Sequence, residues 1–265
     1  MKLGFYDSGL GGLSVLREFV EKYQSRYSYV YFGDSARAPY GTKSPEQLKS
    51  YVVEIADYMQ EKEVDVLISA CNSSSMYLAE IDFDDYFFQV ISLNDVMTKH
   101  FAETNYDEQV ALLATQATID SGRYIDWNVD IHPVACTDLV PAVEAGDLEL
   151  GRERWQAHLE QLPEDIKQVI IGCTHYAFLT SEVPEGSLRR SVILSPEGRQ
   201  DPIASQDDSY KYIDPAKLVL EQFEASIFDD GLLNYQCKKD QEIELDVYFS
   251  KSDSDYINLA MSLIA

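Results

Sequence analysis

Short apolar runs alternate along this chain with longer stretches in which apolar residues recur every third or fourth position. KLGFYD predicts a β-strand, and GLSVLREFVEKYQ a helix with Leu13, Leu16, Phe19 and Val20 on one face. YSYVYFGD predicts a second strand. The helix within SPEQLKSYVVEIADYMQEKE opens on a start signature: Ser44 as N-cap, Pro45 at the first helical position, then acidic Glu46. VDVLISAC is a third strand, apolar throughout as buried parallel strands are. QVISLND is a fourth.

The pattern then restarts. QVALLAT, DIHPVAC and KQVIIGC predict strands, while QATIDSGRY and RERWQAHLEQLP predict helices. Strands alternating with helices of this length define an α/β protein with parallel sheets and right-handed crossovers. The halves are loosely similar. LGFYDSGLGG parallels VALLATQATIDSG, and VLISACNSS parallels VIIGCTHYA. Two similar parallel-sheet α/β domains are therefore expected. Parallel sheets bind ligands at the carboxyl ends of their strands, so these four loops would line one cleft between the domains. In the tail, Ser195 to Tyr212 is polar and rich in turn formers and reads as a long loop or hairpin. A short strand and the helix IDPAKLVLEQFEASIF follow, then another hairpin-like stretch, and LDVYFSKSDSDYINLAMSLI predicts a strand and a final helix.

Composition narrows the class. A chain of 265 residues with 45% apolar content can bury a substantial core. No apolar run reaches the roughly 18 residues of a membrane span, and MKLGFYDSGLGG meets Gly and Asp too early for a signal peptide. A soluble, cytoplasmic protein is expected. The net charge of −25 excludes the basic stripe a nucleic-acid binder needs. It reads as a solvated surface, and an anionic substrate would need local donors to hold it. Cys71, Cys136, Cys173 and Cys237 are scattered singly, which fits free thiols in a reducing compartment.

Chemistry concentrates where apolar runs stop. Gly9, Gly11 and Gly12 follow the first strand, but neither the GxGxxG spacing nor a P-loop lysine is present. The loop is better suited to bring backbone amides to a small ligand, with Asp7 and Ser8 at the strand end; the plainer role for those two is helix capping. In GDSARAPYGTK, Tyr40 offers a phenol at a cleft edge and Gly41 a left-handed turn. Cys71 precedes Asn72 and Ser73, and Cys173 precedes Thr174 and His175. A thiol where a strand gives way to a helix should have a lowered pKa. Asn72, Ser73 and Thr174 could grip a carboxylate, and His175 could switch its cysteine between thiol and thiolate. Lone cysteines are more often inert core residues, and Cys173 with His175 is too small a set for zinc. Two thiols in matching contexts instead suit a two-base proton transfer. One removes a Cα proton and the opposite one returns a proton to the other face.

The blocks GFYDSGLGGLSVLRE, YFGDSARAPYGTKSPEQL, LISACNSSS, ATQATIDSGRY, ACTDLVPAVEAG and VIIGCTHYAFL run in order over most of the chain. In them the sequence resembles the cofactor-independent glutamate racemases of the aspartate/glutamate racemase superfamily. The resemblance implies two α/β domains, residues 1–96 with 208–265 and residues 97–207, usually assembled as a homodimer. It implies no pyridoxal phosphate, metal or nucleotide. Cys71 and Cys173 fall on the catalytic thiols, Cys71 serving D-glutamate and Cys173 L-glutamate. Asp7, Ser8, Tyr40, Gly41, Asn72, Ser73, Thr174 and His175 fall on substrate-binding positions, with Asp7 and His175 assisting the thiols. Glu144 falls on an acidic position linked to catalysis and Thr118 on a hydroxyl near the substrate. By analogy the product would be D-glutamate for peptidoglycan. Other readings are aspartate racemisation, another small-diacid isomerase or decarboxylase, and a non-catalytic relative. Departures from the pattern are Ser73 for threonine, Ala177 and Thr137 for prolines, the turn in SLNDVMTKHF, and an enlarged segment from Ser187 to Tyr212.

Overall fold

Two parallel sheets account for all the strands of the computed structural model, which describes residues 1–180, 210–229, 243–251 and 253–264. In the first, β1 (Lys2–Asp7) lies between β2 (Ser28–Gly33) and β3 (Val66–Ser69). Beyond β3 runs β4 (Gln89–Ser92), and beyond β2 runs β9 (Leu245–Phe249). In the second, β5 (Val110–Ala114) lies between β6 (Ile131–Ala135) and β7 (Gln168–Gly172), with β8 (Lys211–Ile213) outside β7. Every pairing is parallel.

The order β4-β3-β1-β2 is repeated as β8-β7-β5-β6. The loose likeness between the halves is thus a repeat of topology. The strands in the middle are the most apolar: β3 and β5 are buried along their whole length, as strands covered on both faces must be.

The helices follow the same logic. α1 (Leu13–Tyr23) buries Leu13, Leu16 and Phe19. α2 (Pro45–Glu61) buries Leu48, Val52, Ile55 and Met59, one stripe at helical spacing. Ser44 and Gln47 close a reciprocal capping box at its start. β4 is shorter than QVISLND because Ser92 becomes an N-cap, accepting from the Asp95 amide and opening α4 (Leu93–Glu103). The remaining helices are α3 (Asn72–Ser75), α5 (Gln116–Ser121), α6 (Leu139–Glu144), α7 (Leu148–Leu159), α8 (Pro215–Asp229) and α9 (Ser254–Ile264).

The tail serves both sheets. β9 extends the first sheet, whereas Lys211–Ile213 pairs with β7 in the second, although residues from 208 onward were expected with the first unit. Lys211 and Tyr212 are therefore strand and not loop, since parallel pairing with β7 lets Ile213 be buried. α8 packs on α1 and α4, with Phe223 against Phe19 at a ring separation of 5.1 Å. The rest of the enlarged segment, the hairpin-like stretch before β9, and Cys237 lie outside the described residues. Among the described residues no helix is long and apolar enough to cross a membrane.

Candidate active site

In each sheet the strand order reverses direction once, between β1 and β3 and again between β5 and β7. Loops on either side of such a switch point diverge and leave a crevice at the carboxyl ends. Here the two crevices face one another across a single narrow cavity. The loop after β1 contributes Asp7 and Ser8, and the loop after β3 Cys71, Asn72 and Ser73. From the second sheet come Thr115 after β5 and Cys173, Thr174 and His175 after β7. Pro39, Tyr40 and Gly41, in the loop after β2, and Val140 of α6 complete the wall.

Both thiols are buried and free of disulfides. Cys71 caps α3, but its thiol is pushed up from its ordinary value and not down. Burial is the main cause, and the charge of Asp7 adds to it. The expected lowering fails because the dipole of a one-turn helix is weak beside the cost of removing a thiolate from water. Cys173 Sγ lies 3.7 Å from His175 Nδ1. The other ring nitrogen, His175 Nε2, lies 2.6 Å from Glu144 Oε1. Burial opposes a charge on this imidazole, yet Cys173 and Glu144 outweigh it and hold His175 protonated well above its ordinary range. The partner agrees in sign. Burial would raise the Glu144 carboxyl, but His175, Tyr256 and the Leu10 amide keep it below its usual value.

Asp7 bridges the two sheets. Its Oδ1 accepts from the Gly9 amide at 2.9 Å and its Oδ2 from Thr174 Oγ1 at 3.2 Å. Capping of the loop and a place in the cavity wall coexist in this one side chain. Burial raises its pKa, against the lowering influence of the His175 charge. On the opposite wall Ser73 Oγ meets Thr115 Oγ1 at 2.8 Å, and Thr115 Oγ1 meets Thr118 Oγ1 at 3.2 Å. Among the described residues Asn72 Oδ1 is buried with no hydrogen-bond partner, and Asn72 lines the cavity.

Most of the sequence-selected residues come together here, with some changes of part. Thr118 is fully buried behind Thr115 and does not line the cavity. Glu144 also stands back from it and touches it through His175. Tyr40 lines the wall, but its hydroxyl donates to Asp34 Oδ2 at 2.5 Å and is not free. Gly41 is not in a left-handed conformation. Its backbone is pressed so close to Thr115 that a Cβ would lie 2.7 Å from Thr115 Cβ. Gly11 is needed for the same reason, since a Cβ there would meet His175 Nδ1 at 2.2 Å. The glycine-rich loop is thus shaped around the His175–Glu144 pair, with the Leu10 amide donating to Glu144 Oε1 at 2.8 Å.

Three residues escaped the sequence reading: Thr115, Asp34 and Tyr256. Thr115 carried a usable signal, because it follows the apolar strand β5 in the place that Ser8 holds after β1 and is the N-cap of α5. Asp34 is fully buried and accepts from Tyr40, from Arg37 and from Ser250 Oγ. The third thiol, Cys136, is pushed up to about 12 chiefly by burial, and its carbonyl accepts from the Tyr176 hydroxyl at 2.5 Å. Among the described residues no cluster of three or more His, Cys, Asp or Glu is arranged to hold a metal ion.

A family profile described as Asp/Glu/Hydantoin racemase matches residues 9–193. A glutamate racemase of Thermoanaerobacter sp. (strain X514) is 28% identical over 272 aligned positions, covering 99% of this chain and 92% of that one. A glutamate racemase of Aquifex aeolicus (strain VF5) is 34% identical over 69% of this chain and 74% of its own length. The crystal structure of glutamate racemase from Campylobacter jejuni subsp. jejuni superposes with a TM-score of 0.74 at 25% identity, covering 100% of this chain and 98% of that one. Two facing parallel sheets and these relatives define an isomerase acting on a small molecule, an amino-acid racemase. The chain belongs to the Asp/Glu/hydantoin racemase family.

Proposed function

We propose that this racemase interconverts L- and D-glutamate by two-base proton transfer between Cys71 and Cys173, without a cofactor. The observation that carries the reading is the placement of two buried thiols, one from each repeat of the fold, in the wall of one cavity. The glutamate racemases among the relatives support the choice of substrate.

Burial keeps Cys71 a thiol, while protonated His175 sets its Nδ1 3.7 Å from Cys173 Sγ, within reach to exchange a proton with it. Cys173 takes the Cα proton of L-glutamate and becomes a thiol. The electron pair left on Cα spreads into the carboxylate, and Cys71 delivers its proton to the opposite face, leaving a thiolate. The reverse cycle begins from that state with D-glutamate. Asn72 Oδ1, an unpaired acceptor, suits the α-ammonium group. The hydroxyl of Ser8 and one of the paired hydroxyls of Ser73 and Thr115 supply local donors for a dicarboxylate in a protein of net charge −25. Ser73 keeps the hydroxyl of the usual threonine.

Each sheet is read as the core of one domain. The protein is further proposed to work as a homodimer in the cytoplasm, supplying D-glutamate for peptidoglycan; sedimentation at assay concentrations tests the first point.

Incubation of L- and D-glutamate, separately, in deuterium oxide should show inversion with solvent exchange at Cα. Cys71→Ala and Cys173→Ala should each abolish inversion, because the cycle needs both partners. Exchange with aspartate alone would replace the substrate assignment, and full activity in either alanine variant would overturn the two-thiol mechanism.

A further inference from the structure

Tyr256 lies on α9, the last helix, and contributes nothing to the cavity wall. Its hydroxyl nevertheless donates to Glu144 Oε2 at 2.5 Å. The other carboxylate oxygen, Oε1, takes His175 Nε2 and the Leu10 amide. A chain of contacts therefore runs from Tyr256 through Glu144 and His175 to Cys173. The aromatic ring is held independently of this bond, edge-on to Phe249 at 5.0 Å and 89°. Packing fixes where the hydroxyl points, and the hydroxyl then fixes the carboxylate.

We propose that Tyr256 is a positioning residue for racemisation, locking the Glu144 carboxylate so that His175 presents Nδ1 to Cys173. The proposal rests on the reading of Cys173 as a proton-transfer thiol. An acceptor-only carboxylate with one oxygen unbound can rotate about its last torsion, and His175, which it holds by the other oxygen, then loses its fixed direction. Oxygen Oε2, in a side chain only 18% exposed, would also be left without a donor. The titratable groups facing Glu144 are His175, Tyr256, Asp7 and Tyr31. Of these, Tyr256 and His175 are hydrogen-bonded to it. Removing a donor makes the carboxylate more basic, so it takes up a proton at higher pH.

The test compares Tyr256→Phe with the full-length wild type, using L- and D-glutamate as probes. The phenylalanine keeps the ring against Phe249 and deletes only the hydroxyl. Loss of a hydrogen bond to a charged group corresponds to a fall in kcat of about tenfold to a hundredfold. KM should be unchanged, because Tyr256 does not reach the cavity, and the acid limb of the kcat profile should move to higher pH. In a double-mutant cycle, adding Tyr256→Phe to Glu144→Gln should cause little further loss, since the two act through one contact. Ile257→Ala, at a 44% exposed position on the same helix, should retain wild-type activity and control for disturbance of α9.

Additive losses in the cycle, a wild-type kcat and pH profile in Tyr256→Phe, or an effect confined to KM would overturn the assignment. Equal losses in Ile257→Ala and Tyr256→Phe would also overturn it, by showing that only the packing of α9 matters. An active wild type with an unaffected Tyr256→Phe defeats this inference alone. A wild type that inverts no acidic amino acid defeats the proposed function together with it.

Discussion

Glu144 gathers its donors from residues 10, 175 and 256, and that arrangement makes it a pH-sensitive contributor to stability. Its carboxyl in the folded protein lies below its ordinary value of 4.5 despite burial. A carboxyl lowered by folding stabilises the protein above its unfolded pKa, and the contribution disappears as pH falls through the folded value. In urea titrations Glu144→Gln should therefore cost about 1.5–3 kcal/mol near neutral pH, the range for hydrogen bonds to a charge. The gap from wild type should narrow towards about pH 4 and below; a gap constant with pH would mean that the carboxylate charge is not the stabilising element. At this scale the sequence was legible where chemistry interrupts an apolar run. Cys71 and Cys173 stood out because each ends a buried strand in matching surroundings. Tyr256 did not, because one tyrosine of 18 in an amphipathic pattern is indistinguishable from a packing residue until its hydroxyl has a partner. The protonation of Cys71 was also misjudged from sequence, which shows the start of a helix but neither its length nor how dry the thiol is.

Among the elements, α2 was predicted with its cap because both are local. Ser44 Oγ accepts from the Gln47 amide at 3.3 Å, and Gln47 Oε1 accepts from the Ser44 amide at 3.0 Å. Ser44→Ala should cost about 1 kcal/mol, read as a fall in Tm of about 2–4 °C for a protein near this size, with racemase activity retained. No change in Tm would mean that solvent serves those amides equally well. The single-turn α3 and the short α6 have no periodicity to betray them, and both are set by what they pack against. α4 was hidden for a different reason. Ser92 lies inside an apolar run that reads as continuing strand, and only its capping of Asp95 turns the chain. β8 was expected only as a short strand before α8, with Lys211 and Tyr212 in the loop, because its partner β7 lies about 40 residues away in sequence.

The whole molecule combines a repeated sheet order with a charge of −25. Self-repulsion of that size weakens the compact state, and salt screens it over about 8 Å at physiological ionic strength. Tm should rise between low salt and about 0.15 M sodium chloride. A fall would show that attractive pairs such as Arg37 with Glu54 and Lys49 with Glu80 outweigh the repulsion. The two-sheet architecture and the cleft were legible because the alternation of strand and helix is strong and occurs twice, whereas the way the tail is shared between the sheets was not. That sharing has a consequence for how the enzyme comes into being. The ribosome makes Leu10 first, then Glu144 and His175, and Tyr256 only about 80 residues after His175. Glu144 therefore cannot collect all its ligands until that later stretch has been made. A nascent chain with both sheets formed still lacks one of the hands on that carboxylate, and full catalytic competence would arrive only once α9 has been made and has docked.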